Sequence, residues 1–370
     1  SQSEVYRNIS KIIERDSKST TYKFALLRAT IDIIQENTPF IDIRLGRVHI
    51  PVGLLVEKWL VYYYPIIESE TPIPQIHGAS NLAFEASFRP IINYYKSRGG
   101  FSVFFNDLRN KGVPKKIESD FRLLVRQVRQ TVINMPMKYL GRSLSDEYYS
   151  VYRKEGKASS DRAGTLDRQS IITNNGTFSI PIEYYDAFSL LGSFIGGQES
   201  ILFKWAQFSV NTGSGLSTEN VLERVLQSPV TERDVLASKR IYRDMLGASG
   251  SVTCVWSGSR LTTYDIDHVI PFSVWKNNDL WNLLPSSSKV NGQKRDKIPS
   301  PDTIHNSRNR IIEYWNRVSN TEPLRFQKEI QGSLIGYSRY DDWQNKAIDQ
   351  LQKNCAQLIE NRGFQAWSSK

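Results

Sequence analysis

The chain has few of the residues that build disulfide networks, zinc sites or membrane spans. It contains 2 cysteines among 370 residues, Cys254 and Cys355. This excludes a disulfide framework and a four-cysteine zinc site, and it is compatible with a reducing compartment. No apolar run reaches the roughly 18 residues that a membrane span needs, since Glu57 and Lys58 interrupt the best candidate, residues 51–67. The first residues lack the apolar segment of a signal peptide, so we expect a cytoplasmic protein without membrane contact.

Positive charge is what the sequence has in excess. The formal net charge is +10 and the pI is about 9.4, although hydrophobic residues, at 39%, are abundant enough for a globular core. An excess of this size favours a polyanionic partner, most often nucleic acid. The alternative at this point is a protein that is basic and soluble but has no such partner.

The pattern of apolar residues predicts an α+β chain that is mostly helical. One predicted helix covers residues 52–64 and ends at Pro65. β-rich flanks around Asn175-Gly176 predict a small β-hairpin over residues 170–180. The Gly/Ser/Thr-rich run at residues 211–219 marks a candidate boundary.

Two domains follow from that boundary. We expect a mostly helical recognition or partner domain at residues 1–215. The second domain, residues 216–370, would hold the functional motif at about residues 250–300, flanked by helices. A helix predicted to start at Thr231 would lead into it.

A stripe of arginines lies in the most basic part of the first region. Residues 101–170 contain 14 Lys and Arg against 8 Asp and Glu, a net charge of 14 − 8 = +6. Within a helix predicted over residues 117–133, Arg122, Arg126 and Arg129 fall on one face. DNA contact and an ordinary solvated helix face are the two interpretations of this stripe.

Residues 251–298 contain side chains suited to phosphodiester hydrolysis, in the order strand, turn, strand, loop, helix. On the second predicted strand, Asp265 and Asp267 alternate and therefore point to the same face. Carboxylate and amide oxygens suit a hard divalent cation, and a neutral imidazole nearby can take a proton from water. Asp267, His268 and Asn291 are thus a candidate hydrolytic set. Taken singly, each is also an ordinary surface, turn or cap residue.

The order of these residues resembles the HNH endonuclease family, the ββα-metal nucleases. The family pattern is an acidic residue and His, then hydrophobic-x-Pro, then Asn, and then Asn or His on a closing helix. This chain has Asp267-His268-Val269-Ile270-Pro271, followed by Asn282 and Asn291. The segment is similar to the HNH domain of RNA-guided CRISPR effector nucleases. These share its Tyr-Asp-hydrophobic-Asp-His run, both asparagine spacings and a following Lys.

The resemblance implies a role for each matching residue. His268 would be the general base that activates water, and Asp267 and Asn291 would bind Mg²⁺ or Mn²⁺. Asp265 would be a metal ligand or would lie next to the ligands. Asn282 would hold the loop and orient His268 through hydrogen bonds.

The resemblance also raises expectations for a lysine and for zinc. Lys294, one helical turn after Asn291, would contact a phosphate unless it is simply an exposed lysine. Many family members bind a structural zinc through two Cys pairs, but Ser257 stands where the partner of Cys254 would be. We therefore expect no structural zinc. Three tryptophans would supply apolar packing instead: Trp256, Trp275 and Trp281.

These features favour a divalent-metal-dependent DNA endonuclease, one of restriction or anti-phage defence. Its C-terminal region would cut, and its N-terminal region would recognise DNA or a partner, such as a second copy of the chain or another defence subunit. Two alternatives remain open. One is a DNA-binding or scaffold subunit with a vestigial nuclease site, and the other is a nonspecific nuclease that also acts on RNA.

Overall fold

The computed structural model describes two units of the chain. Residues 17–18, 79–80, 160–163, 194, 214 and 338–339 lie outside the description, as do the side chains of residues 193–200. The units are Ser1–Pro229 and Val230–Lys370. No helix in the described ranges is long and apolar enough to cross a lipid bilayer.

Helices make up most of the first unit. In chain order they are α1 Gln2–Arg15, α2 Tyr22–Gln35, α3 Val52–Glu68, α4 Glu85–Lys96, α5 Phe101–Asn106, α6 Glu118–Asn134, α7 Pro136–Tyr139, α8 Arg168–Asn174, α9 Ile182–Ser193, α10 Ile195–Thr212 and α11 Thr218–Val225. Helix α11 packs on α10 and α3. The first unit therefore extends past the Gly/Ser/Thr-rich run, of which residue 214 lies outside the description.

Helix α3 is the centre of this unit and is buried on nearly all sides. It packs against α2, α4, α6 and α8, and Trp59, Leu60 and Tyr63 are completely buried. The predicted end at Pro65 was wrong, because the helix continues to Glu68. A proline removes one backbone hydrogen bond, and here the surrounding apolar packing outweighs that loss.

A four-stranded antiparallel sheet completes the first unit, in the order β1-β2-β4-β3. Its strands are β1 Asp42–Arg44, β2 Arg47–Pro51, β3 Arg153–Lys154 and β4 Thr177–Pro181. The small hairpin is formed by β1 and β2, so its predicted position at residues 170–180 was wrong. The first arm of that prediction is helix α8, which begins with a reciprocal capping box between Asp167 and Ser170. Gly176, at φ 75°, turns the chain from α8 into β4.

The second unit has short strands among long helices. Its elements are α12 Leu236–Ser249, β5 Val252–Thr253, β6 Arg260–Leu261, β7 Asp265–His268, β8 Leu283–Ser286, α13 Ser288–Lys294, β9 Ile298–Pro299, α14 Pro301–Thr321, α15 Pro323–Ile330, α16 Trp343–Glu360 and β10 Ala366–Trp367. Helix α12 begins five residues after Thr231, because residues 230–235 are irregular.

Strands β7 and β8 and helix α13 form the ββα core of this unit. β7 pairs antiparallel with β8, with Asp265 opposite Ser286 and His268 opposite Leu283. The sequence predicted a strand, a turn and a second strand here, and β5 pairs antiparallel with β6 in that order. The Asp-His strand β7 is separate from β6, and its partner β8 comes from the segment predicted as a loop. All four residues of β8 are buried, among them Leu283 and Leu284, so this segment belongs to the core beside β7 and is not an exposed loop.

Aromatic packing fills the core behind β7 and β8. Trp256 and Trp281 are buried and Trp275 packs against the same cluster, as the sequence predicted. Helices α14 and α16 pack on each other and contribute Trp315, Trp343 and Leu351. Cys254 is fully buried, and its Sγ accepts hydrogen bonds from the backbone N–H groups of Ser257 and Ser287.

Candidate active site

The site is built where strand β7 faces the first turns of α13. Ser287 caps α13, because its hydroxyl accepts a hydrogen bond from the backbone N–H of Val290. Asn291 and Lys294 lie one turn apart, and both contact residues of β7. The cap and the strand pairing thus bring the predicted acidic residues and the helix residues together.

Asp265 and Asn291 are in direct contact at the more exposed end of the site. The side-chain amide of Asn291 donates to Asp265 Oδ2 at 3.3 Å, and the hydroxyl of Ser288 donates to Asp265 Oδ1 at 3.0 Å. Both carboxylate oxygens of Asp265 therefore have one donor from α13. Each also keeps lone-pair capacity for a further partner.

Asp267 is buried and paired. Its side chain is 4% exposed and its Oδ1 lies 3.1 Å from the ammonium of Lys294. Its Oδ2 accepts a hydrogen bond of 2.7 Å from the indole N–H of Trp256. Trp256 was predicted only as an apolar substitute for zinc, and the structure adds this polar contact to an acidic residue of the site.

The expectation that Lys294 contacts a phosphate is corrected by its burial. Its side chain is completely buried, and its ammonium donates to Asp267 Oδ1 and, at 2.8 Å, to the backbone carbonyl of His268. Lys294 therefore holds strand β7 to helix α13 from inside. The i, i+3 spacing places Lys294 on the same helix face as Asn291, which contacts β7. This spacing is the sequence feature from which the burial of Lys294 could have been predicted.

His268 is held by a hydrogen bond that the sequence did not predict. Its Nε2 lies 3.0 Å from the side-chain oxygen of Asn278. The amide nitrogen of Asn278 donates in turn to the backbone carbonyl of Glu232, also at 3.0 Å. The ring of Phe272 packs edge-on against the imidazole, with a centroid distance of 5.6 Å.

The surroundings of His268 favour the neutral imidazole. Burial lowers the pKa of His268 below its ordinary value, and Arg233 and Lys294 lower it further, while Asn278 and Asp267 act in the opposite direction. A lowered pKa leaves the ring unprotonated at neutral pH, which is the state that a general base requires.

Asn282 holds the loop, but its side chain does not bind His268. It is completely buried. Its Oδ1 accepts from the backbone N–H of Ile270 at 2.9 Å, and its Nδ2 donates to the carbonyls of Ile270 and Asn277. The loop-holding half of the expectation agrees with these bonds, whereas the contact with the imidazole belongs to Asn278. No periodic pattern pointed to Asn278, because it lies in an irregular segment.

The oxygen donors at this site suit a hard divalent ion in kind. Asp265 and Asp267 lie on one face of β7 by the alternation of a strand, and Asn291 is bonded to the first of them. Both carboxylates retain lone pairs beyond their present donors, and these are the electron pairs that a metal ion would need. Among the described residues, no three His, Cys, Asp or Glu side chains gather into a metal cluster.

The three arginines of the α6 stripe differ in their contacts. Arg122 forms an ion pair of 2.9 Å with Glu118, and Arg129 donates to the backbone carbonyl of Asn175 at 2.9 Å. Arg126 is exposed. Of the three arginines, the stripe therefore offers to solvent one exposed side chain that has no such contact among the described residues.

Two family models match the chain, and they divide it between the two units. One, described as "Domain of unknown function (DUF8808)", matches residues 2–225. The other, described as "HNH endonuclease", matches residues 257–300 and so contains β7, β8 and α13. The second match confirms the predicted family of the ββα segment, and HNH endonucleases as a class depend on a divalent metal ion.

A curated relative extends the same likeness. The CRISPR-associated endonuclease Cas9 of Streptococcus mutans serotype c is 34% identical over 110 residues. That stretch is 28% of this chain and 8% of the relative, so the chain corresponds to a small part of that protein's length. No solved structure matches the chain.

Proposed function

Because the chain belongs to the family described as "Domain of unknown function (DUF8808)" and also carries an HNH endonuclease domain, we propose that it is a divalent-metal-dependent DNA endonuclease. The second unit hydrolyses the phosphodiester bond, and the first recognises DNA or a partner. The observation that carries this proposal is the position of His268, a neutral base on strand β7 of the ββα core, next to Asp267, whose charge acts on the imidazole.

His268 accepts the proton of the attacking water at Nδ1. An amide oxygen can only accept, so the contact with Asn278 places the ring proton on Nε2. Nδ1 then carries the lone pair. Among the described residues, Nδ1 has no hydrogen-bond partner, and it is not one of the buried side-chain atoms that lack a partner. It is therefore accessible to solvent. A base with this geometry and a neutral ring serves general-base catalysis.

Asp265, Asp267 and Asn291 would hold the metal ion, Mg²⁺ or Mn²⁺. Bound there, the ion supplies positive charge to the phosphorane and to the leaving 3′ oxygen. Lys294 and Trp256 fix the carboxylate of Asp267 in position, because each donates to one of its oxygens. Asn291 and Ser288 orient Asp265 in the same way.

The positive charge of the chain supports DNA as the substrate. A net charge of +10 attracts a polyanion whatever its sequence, and phosphate contacts fix the position of a nucleic acid without selecting its bases. A role in restriction or anti-phage defence is the biological setting we propose, by analogy with a relative named CRISPR-associated. One ββα site cuts one strand, so a double-strand break would take two copies of the chain or two successive cuts.

Cleavage of supercoiled plasmid DNA tests the proposal. We expect conversion to open circles or linear molecules with Mg²⁺ or Mn²⁺, and none with EDTA. Matched single-stranded, double-stranded and RNA substrates then define the nucleic acid. Cutting that survives complete chelation would contradict the metal dependence, and absence of cutting of every nucleic acid under all ion conditions would leave a binding subunit with a vestigial site.

A further inference from the structure

The loop beside the site contains a residue whose contacts define the chemistry of His268. We propose that Asn278, which lies outside the conserved pattern of the HNH motif, is the positioning residue that sets the orientation and the tautomer of His268. It does so as part of a relay that ends on the backbone carbonyl of Glu232. This inference rests on the proposed function, since the relay acts on its general base.

The direction of the relay follows from which atoms can donate. The carbonyl of Glu232 can only accept, so the atom of Asn278 that lies 3.0 Å from it is the amide nitrogen. The amide oxygen then faces His268 Nε2, also at 3.0 Å, and this nitrogen must donate. A flipped amide would oppose two oxygens at one end and direct its N–H groups at the ring at the other. The backbone therefore decides which ring nitrogen is free to act as a base.

The loop that carries Asn278 is fixed from the opposite side. The guanidinium of Arg325 on α15 donates to the backbone carbonyl of Asn278 at 3.4 Å. On either side of that position, Asn282 donates to the carbonyl of Asn277, and Asp279 accepts from Ser333 at 2.8 Å. The neighbouring backbone is thus held independently of the imidazole, which leaves the Asn278 side chain to act on His268.

The relay joins segments that no motif contains together. Glu232 precedes α12 and Arg325 lies on α15, and both are outside the matched residues 257–300. Asn282, the asparagine of the motif, binds only backbone groups of its own loop. The work of holding the loop and the work of orienting the base are therefore divided between two asparagines four positions apart.

The tautomer itself is measurable without cleavage. With ¹⁵N-labelled histidine, the imidazole signals of His268 should show a protonated Nε2 and an unprotonated Nδ1 in the full-length protein. Assignment comes from the spectrum of His268→Ala. In Asn278→Leu, which is similar in size but has no acceptor, both nitrogens should move toward averaged values. In Asn278→Asp the ring keeps an acceptor at Nε2 but the donor to the carbonyl of Glu232 is lost, so Nε2 should stay protonated although the side chain has lost its anchor.

Cleavage should follow the same order. We expect Asn278→Leu to lower the single-turnover rate by about 10–100-fold, as removal of an orienting partner commonly does, with DNA affinity unchanged. Asn278→Asp should retain more of the rate than Asn278→Leu, because it keeps the acceptor for Nε2, and Lys276→Gln, an exposed change in the same loop, should cut like wild type. Thermal melting confirms that each variant is folded.

The outcomes separate the relay from a structural role and from the proposed function. An unchanged ¹⁵N pattern in Asn278→Leu overturns the relay, as does an equal loss of rate in the Leu and Asp variants, which indicates loop damage alone. If the wild-type protein cuts no nucleic acid, the proposed function fails, and the ¹⁵N measurement still decides whether Asn278 sets the tautomer.

Discussion

Each unit contains a buried ion pair, and the two ion pairs differ in the residues that surround them. In the first unit, Arg168 of α8 and Glu57 of α3 are 10% and 6% exposed, and they are hydrogen-bonded to each other. In the second, Lys294 and Asp267 are 0% and 4% exposed. Burial and pairing are therefore alike, and neither property by itself identifies a functional site.

The neighbours of the pairs separate them. Burial alone would raise the pKa of Glu57, but Arg168 and Lys58 hold it below its ordinary value, which keeps the carboxylate ionised inside the helical core. Beside Asp267 and Lys294 stands His268, whose Nδ1 has solvent access. The comparison teaches that a buried ion pair by itself indicates a structural role in the fold. A solvent-accessible lone pair beside such an ion pair indicates a catalytic role.

Removing the base should have the largest effect. His268→Ala should lower the cleavage rate by about 10²–10⁴-fold, the usual contribution of a positioned general base, with DNA affinity retained. The matched control is His305→Ala, an exposed histidine of α14 in the same unit, which should cut normally. Single-turnover cleavage and DNA binding are the measurements. A wild-type rate in His268→Ala would move the nuclease centre away from β7.

Breaking each pair should separate stability from chemistry. Arg168→Met and Lys294→Met each leave a buried carboxylate without its partner, so each should lower the free energy of unfolding of its own unit by about 3–5 kcal/mol. Only Lys294→Met should also slow cleavage, because it releases Asp267 and the carbonyl of His268. Urea unfolding and cleavage per folded molecule are measured in parallel. Equal cleavage in the two variants would remove the distinction between the pairs.

The site was predictable where a regular element sets direction. Asp265 and Asp267 fall on one strand face by alternation, and Asn291 begins the helical face that meets them. The position of Asn278 could not be predicted, because an irregular loop has no period. The same holds for Glu57 and Arg168, which are 111 positions apart and meet only in the tertiary structure.

The fold was predictable to a similar depth. Helical periodicity identified helices α3 and α6, and the start of each lies within one residue of its prediction. The hairpin predicted at residues 170–180 was wrong, and strand β8, the partner of β7, lies in a segment predicted as a loop. In both places the pairing depends on partners that are distant in sequence, which a local pattern does not contain.

A buried acid of the second unit should respond to pH in the opposite sense to Glu57. Burial and the neighbouring Asp279 raise the pKa of Glu329 well above its ordinary value, although Arg325 opposes them. The folded unit therefore binds a proton that the unfolded chain has lost. Its contribution to stability is present below the unfolded pKa and is lost as the pH rises through the folded pKa.

Glu329→Gln should remove this dependence, because the amide stays neutral. We expect the unfolding free energy of the variant to exceed that of wild type increasingly as the pH rises above the ordinary pKa of a glutamate. Tryptophan fluorescence follows the right unit, since Trp59 and Trp205 lie in the first unit and the remaining 6 of 8 in the second. Parallel pH profiles for variant and wild type would show that Glu329 is ionised in the folded protein.

The smallest effect should come from the surface of the first unit. There, substitution of a single arginine distinguishes a helix face that contacts DNA from one that is only solvated. Arg126 of α6 is exposed, whereas Arg122 is paired with Glu118 at 2.9 Å. If the stripe contacts phosphates, Arg126→Gln should lower the slope of log affinity against log salt by about one unit, because one fewer counterion is released. Arg122→Gln changes the net charge equally, but its guanidinium already has a partner, so its slope should change less. DNA affinity of both variants across a salt series is the measurement. Equal slopes would show that only net charge acts, and the first unit would then have to recognise a partner by another surface.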